Sequence, residues 1–426
     1  MSEIDVRAMA LDARAAGRQL ALSTTSARNT ALRNIAARLA TVGPELWEAN
    51  RADLAYATEA GIAPALLDRA ALNPKRVQSM IDGCNDVAAL PDPLGEVFDG
   101  RTLPNGMVLA KKRVPLGVLA TIFESRPNVT IDIGALAIKS GNAVIMRGGK
   151  ESLQTNTVLT HVVRDALADS GLPVDAVQLI ASPDRDLVPQ LLALDDLIDL
   201  VIPRGGPGLQ ALVKDLARMP VAYGGIGVCH LFVDASADPA RSLPLINNAK
   251  VQAPSVCNAL DTVLVHRDVA ARFVPAMVAN LNASGVKVYL DAPSLATLDA
   301  AALAAAGDLV ASAQPEHFGH EFLSLQLSVK VVDSLDEAIA HIQRYGTNHT
   351  DGILTDSVAN AERFLNEVDS AATYVNCSTR FTDGGVFGLG AEVAISTQRL
   401  HARGPMGLRE LTTYKWIGRG DYHLRP

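Results

Sequence analysis

The feature that most constrains this chain is an alternation of short apolar runs with helical stretches, repeated in two series. In the first, apolar residues 118–122 lead through a polar break to a helical stretch, 130–140, stopped by Gly141 and Asn142, and then to a strand-like run, 143–146. A Ser152-capped helix reaching Ser170, a run at 176–180, another helix, a run at 197–202 and a helix from Leu209 continue the pattern. The second series places strand-like runs at 228–233, 262–266, 286–290, 327–332, 352–355 and 373–376, most of them separated by helical segments. Strand and helix in turn specify parallel, doubly wound sheets. The Gly-rich stretch 224–227 supplies a joint between two α/β units.

Length supports the same division, since 426 residues exceed what one core ordinarily organises. Before the first series, residues 6–90 read as a helical cap, and 96–113 as a hairpin turning at Pro104 and Gly106. The Ala-rich stretch 294–306 reads as one surface helix.

Charge and cysteine usage exclude several classes of function. A net charge of −8 is the wrong sign for a nucleic-acid footprint, so a small anionic substrate must be held by a few local cations. Cys84, Cys229, Cys257 and Cys377 are widely spaced, with no zinc-ligand spacing, so no metal is expected. The first residues lack a basic region followed by an apolar stretch, and no uncharged run is long enough to span a bilayer. The reducing cytoplasm is the expected compartment.

Two glycine-containing loops are candidates for phosphate binding. Arg204, Gly205 and Gly206 open a helix after an apolar strand, and Gly206, Gly208 and Ala211 match GxGxxA; a structural turn explains the loop about as well. The loop with Arg147, Gly149 and Lys150 repeats the geometry with two cations suited to a 2′-phosphate, or to ordinary solvated charge. Cys257 lies in a polar, Pro-containing loop before the strand at 262–266, which favours a reachable nucleophile over an inert buried thiol.

Cys257 and Asn258, the segment Glu321 to Leu323, and the long stretch 332–353 together resemble the aldehyde dehydrogenase superfamily. With residues 381–390 and 401–408, the chain is similar over essentially its whole length to the branch of that superfamily that reduces glutamyl phosphate. The resemblance implies an aldehyde dehydrogenase-like α/β fold: two doubly wound domains plus a β-hairpin oligomerisation element. The implied segments are an NADP-binding domain over 1–95 and 114–226, a catalytic domain over 227–398, and a bridging element of 96–113 with 399–426. It implies a homo-oligomer, a dimer or tetramer. It also implies NADPH-dependent reduction of L-glutamyl 5-phosphate to L-glutamate 5-semialdehyde in proline biosynthesis, through a thioester on Cys257.

By the same resemblance, Asn128 and the Cys257 amide are the candidate oxyanion donors. Glu321 falls where the superfamily binds the nicotinamide ribose, and Phe387 joins the cofactor set. Arg126, Asn376, Ser378, Thr379 and Arg380 are candidates for the substrate's α-carboxylate and α-ammonium. His349 lies in the signature as a structural residue. Hydrolytic members carry a glutamate before the Gly-Gly of the domain joint; here that position falls near Ala222 or Tyr223, and residues 216–233 contain no carboxylate. The rival readings are a hydrolytic NAD(P)-dependent aldehyde dehydrogenase and a scaffold that has lost turnover. Hand-over of the acyl phosphate by contact with a glutamate 5-kinase stays open.

Overall fold

The computed structural model describes residues 4–425; the outermost ends of the first and last expected segments, residues 1–3 and 426, lie outside it. The chain divides into two compact units, one of residues up to 224 with 388–394 and 405 onward, the other of 225–387 with 395–404.

The first unit begins with five helices, α1 (Val6–Leu22), α2 (Thr25–Ala40), α3 (Pro44–Glu59), α4 (Pro64–Ala70) and α5 (Pro74–Ala89). Side chains of Asp5, Thr24 and Asn73 accept amide protons at the starts of α1, α2 and α5. Strands β1 (Val97–Thr102) and β2 (Val108–Pro115) form the hairpin, and the strand Thr412–Arg419 pairs antiparallel with β2 along its length to complete a three-stranded sheet. The α/β series follows as β3 (Val118–Phe123), α6 (Asn128–Lys139), β4 (Ala143–Gly148), α7 (Leu153–Asp169), β5 (Val177–Leu179), α8 (Leu187–Leu192), β6 (Leu200–Arg204) and α9 (Pro207–Leu216). Its four strands are parallel in the order β5-β4-β3-β6. Every residue of β3 is buried, as a strand covered on both faces requires. Strand order reverses between β3 and β6, so the carboxyl ends of these strands border a switch-point crevice.

The second unit is a seven-stranded parallel sheet. Its elements are β7 (Cys229–Val233), α10 (Pro239–Val251), β8 (Leu260–His266), α11 (Arg267–Ala283), β9 (Lys287–Leu290), α12 (Ala292–Leu295), α13 (Ala300–Ala306), β10 (Val310–Ser312), β11 (Gln326–Val332), α14 (Leu335–Tyr345), β12 (Thr350–Leu354), α15 (Val358–Glu367) and β13 (Ala372–Val375). The order is β10-β9-β11-β8-β7-β12-β13. Leu231 and Val233 pack with Phe273 and Met277 on one face, while Phe232 between them packs with Ile339 and Phe364 on the other. That alternation is the period of two expected of a strand buried on both sides.

The structure corrects three expectations. Ser152 does not cap α7: its hydroxyl has no hydrogen-bond partner, and the amides of Gln154 and Thr155 donate instead to the buried carboxylate of Asp53, at 3.2 and 2.8 Å. The Ala-rich stretch is two short helices rather than one, because Asp299 accepts the amide of Ala302 and starts α13 afresh. Segment boundaries also differ near the C-terminus. Residues 388–394 cluster with the first unit, where Val393 and Met406 pair through their backbones, and 399–404 with the second, where Arg399 and Arg403 both pair with Asp369.

Candidate active site

In the second unit the chemistry gathers at the amino ends of the strands. Cys257 sits in the loop joining α10 to β8 and is partly exposed. Gly227, just before β7, lies against the Cys257 backbone: a Cβ there would overlap the Cys257 carbonyl oxygen and come within 2.5 Å of its carbonyl carbon. The Gly227 amide donates to Glu321 Oε1 at 2.9 Å, and Cys229 Sγ donates to the Cys257 carbonyl at 3.3 Å. Glu321 and Cys257 are thus held to one backbone segment.

The other thiols are poor nucleophiles. Burial pushes Cys84 up to about 12, with Asp132 adding to the shift, and raises Cys229 well above its ordinary value. Both are fully buried, whereas Cys257 and Cys377 are not. His349 is buried and pushed down to about 4 by desolvation, with Nδ1 2.9 Å from Thr350 Oγ1, a structural setting.

The substrate candidates of this unit divide. Residues 378–382 lie on the nucleophile loop: Thr379 donates to the Asn258 carbonyl and Asn258 Nδ2 to the Thr382 carbonyl, both at 2.7 Å, and Arg380 Nε donates to Gln252 at 3.0 Å. Thr379 is fully buried with its hydroxyl committed to that bond, so it positions the loop rather than meeting a ligand. Ser378 is also buried, and its Oγ accepts the Arg380 amide. Asn376 is misplaced by the sequence reading. It follows the carboxyl end of β13 whereas Cys257 precedes the amino end of β8, and its amide is spent on both backbone groups of Thr355, at 2.9 and 2.8 Å. Phe387 presents an exposed ring after a turn organised by Asp383.

In the first unit the candidates lie at the carboxyl ends of β3, β4 and β6 and in the loops that follow. Arg126 is half-buried between β3 and α6. Asn128 opens α6, is exposed, and donates through Nδ2 to Asp132 Oδ2 at 2.8 Å. Burial lifts that carboxyl to about 6 against the opposing pull of Asn128 and Arg204. Arg147 donates to the carbonyls of Gly148 and Pro183, burial lowers its pKa, and its Nε has no hydrogen-bond partner. Lys150 Nζ stands 5.5 Å from the Tyr56 ring centroid.

The fit to a dinucleotide phosphate is best at α9. A Cβ on Gly206 or Gly208 would meet no atom of the protein, so neither glycine is demanded by packing and the backbone is open to close approach. Glu124 Oε2 accepts the Gly206 amide at 3.1 Å, the kind of place a phosphate oxygen would take. Near Gly149, the buried Glu151 carboxylate accepts from the Ser125 amide and hydroxyl at 2.7 and 2.8 Å. Sequence reasoning missed both acids, although Glu151 directly follows Lys150 and Glu124 lies two residues before the candidate Arg126.

Comparison with known proteins decides the family. Residues 1–317 match the aldehyde dehydrogenase family model. A γ-glutamyl phosphate reductase from Roseiflexus castenholzii is 53% identical over 97% of each chain, and one from Escherichia coli is 50% identical over 98% of this chain and 99% of its own. The crystal structure of γ-glutamyl phosphate reductase from Thermotoga maritima superposes with a TM-score of 0.94, at 44% identity, over 99% of this chain and 100% of that one. The chain belongs to the γ-glutamyl phosphate reductase family. An acetylating aldehyde dehydrogenase from Geobacillus thermoglucosidasius, 18% identical with a TM-score of 0.71 over 99% of this chain and 97% of its own, shares the fold.

Membership gives weight to the missing carboxylate at the joint. The segment 216–233 carries no carboxylate, and burial together with Asp215 raises the Tyr223 phenol within it.

Proposed function

We propose that this chain is an oxidoreductase that reduces L-glutamyl 5-phosphate to L-glutamate 5-semialdehyde and phosphate, the second step from glutamate to proline. The observation that carries the reading is a partly exposed Cys257 held by Gly227 and Glu321, in a chain with no carboxylate across residues 216–233. The thiolate attacks the acyl phosphate carbon, and the C–O bond to phosphate breaks to leave a thioester on Cys257. The Cys257 amide and the Asn128 side chain are the donors assigned to the developing oxyanion; Asp132 engages one Asn128 amide hydrogen and leaves a second for substrate. With no carboxylate across residues 216–233 to serve as general base, the thioester is kept for reduction rather than hydrolysis. When the aldehyde is released, Cys257 returns as thiolate.

The aldehyde dehydrogenase family uses a nicotinamide cofactor, and we assign NADPH. Hydride, the two electrons that turn a thioester into an aldehyde, is what such a cofactor supplies when bound. Arg147 and Lys150 are the cations assigned to a 2′-phosphate, with Gly149 between them. Arg204, Gly205 and Gly206 are assigned to the pyrophosphate, Glu321 to the ribose, and Phe387 to the cofactor's apolar surface. Arg126 and Arg380 are assigned to the substrate's carboxylate.

The subunit associates with copies of itself through the three-stranded sheet. Thr412–Arg419 is an edge strand carrying half-exposed Tyr414 and Trp416, with Lys111 Nζ 4.5 and 5.1 Å from their rings, a surface that would otherwise invite uncontrolled pairing. A cytoplasmic enzyme is the consistent reading; among the described residues no helix is long and apolar enough to cross a membrane.

The test runs the reaction backwards. Oxidation of glutamate 5-semialdehyde with NADP should require added phosphate or arsenate, because only such an anion can release the acyl group. Steady oxidation with neither present would favour the hydrolytic reading.

A further inference from the structure

A buried ion pair lies beneath the nucleophile loop and has no place in the chemistry above. Lys250, in the last turn of α10, and Asp261, second residue of β8, are joined at 3.2 Å, with side chains 0% and 2% exposed. They bracket the loop that carries Cys257, one at each stem. Asp261 Oδ1 also accepts the backbone amide of Phe322 at 3.2 Å, and Lys250 Nζ lies 5.8 Å from the Phe322 ring. Phe322 follows Glu321, whose carboxylate holds Gly227 against the Cys257 backbone. One carboxylate oxygen is therefore the shared acceptor for both ends of a closed circuit: α10, the Cys257 loop, β8, the Glu321 segment and Gly227.

We propose that Lys250 and Asp261 are positioning residues that fix the Cys257 loop relative to Glu321, and so set where the thioester stands with respect to a bound nicotinamide. The proposal rests on the assignment of Cys257 as nucleophile and Glu321 as the ribose ligand. Stability alone is a poor reason for the pair. Desolvating two charges cancels most of their attraction, and well-packed apolar residues of similar volume commonly replace such pairs at no net loss. The pair's distinctive property is that it reaches two functional segments at once with directional bonds.

The experiment separates the two half-reactions in the full-length enzyme. Thioester formation is read as the burst of phosphate released from glutamyl phosphate without cofactor; the whole reaction is read as NADPH oxidation. The double variant Lys250→Met/Asp261→Leu should keep the parental melting temperature and phosphate burst while NADPH oxidation falls about tenfold to a hundredfold, the cost of misplacing reacting groups by about an ångström. Parental NADPH turnover in that folded variant would overturn the proposal. If the double variant does not fold, Asp261→Asn decides: it removes the charge but keeps one acceptor oxygen for Phe322 or Lys250. A raised KM for NADPH with an unchanged burst supports the positioning role, and an unchanged KM with unchanged turnover refutes it. Absence of a burst in the parent would instead sink the assignment of Cys257, leaving the role of the pair to be judged on the cofactor KM.

Discussion

Replacing Gly227 by alanine probes the join between the two segments that matter most. The added methyl would overlap the Cys257 carbonyl oxygen and sit 2.5 Å from its carbonyl carbon and 3.0 Å from its Cα, where ordinary contacts begin near 3.4 Å. These are backbone atoms, so no side chain can swing aside; the loop itself must retreat by well over an ångström, with Cys257 on it. Overpacking of this kind costs about 1–3 kcal/mol. Spread over a subunit of this size, that lowers the melting temperature by only a few degrees, roughly 1 °C per kcal/mol. The catalytic cost is larger, because about 1 Å of misplacement can cost about a hundredfold in rate. Gly227→Ala should therefore stay folded at 25 °C while kcat for NADPH-dependent reduction falls about a hundredfold. The assay pairs initial rates of NADPH oxidation with a thermal melt of the same sample. A variant with parental kcat would refute the argument that the Gly227 approach fixes the nucleophile. Loss of activity that merely tracked loss of folded protein would refute it too.

Other expectations follow from the same contacts. Glu124→Gln removes a carboxylate from the α9 amide assigned to the cofactor phosphate; at about 0.3–1 kcal/mol for a charge at a helix end, the KM for NADPH should fall roughly two- to fivefold, and a rise would contradict the assignment. Asp53→Ala strips the cap of α7 and should cost about 1–2 kcal/mol, read as a lower denaturant midpoint with KM values unchanged. Acid should destabilise the fold through His341 and His349, which burial pushes down to about 3 and about 4. The unfolded chain binds these protons first, near pH 6.5. Stability present above that pH is lost as pH falls towards the folded values, by up to about 1.4 kcal/mol per pH unit for each histidine. A melting temperature that stays flat from pH 6.5 to 5 would contradict this.

Much of the framework was legible because apolar periodicity is local. The strands at 118–122, 143–146 and 228–233 are found within a residue or two of their expected positions, and the hairpin was readable from its turn residues, while its C-terminal partner was indicated only by the family resemblance. β10 was missed because three residues, two half-buried and one exposed, give too short a signal. Ser152 misled because its position in the sequence suits a cap, while the acceptor that captures the α7 amides comes from Asp53, a hundred residues earlier.

At Cys257, Glu321 and Gly206 the sequence motif falls on residues that the fold leaves reachable or ties together, which is what keeps them candidates. Asn376 and Thr379 are less favourably placed for a different reason. Nearness in sequence to a signature says nothing of which end of a parallel sheet's strands a residue occupies, nor whether its polar atoms are already spent, as these are on Thr355 and Asn258. Lys250 and Asp261 carried no signal as a pair because their significance lies in the shared oxygen that also reaches Phe322.

The acyl-enzyme itself offers the most direct test. The protein is mixed with freshly made glutamyl phosphate without cofactor, quenched in acid, digested and weighed by mass spectrometry. A glutamyl group should appear on the peptide containing Cys257, vanish when NADPH is added before the quench, and be absent from Cys257→Ala. Acylation at another residue, or steady NADPH oxidation by Cys257→Ala, would contradict the account.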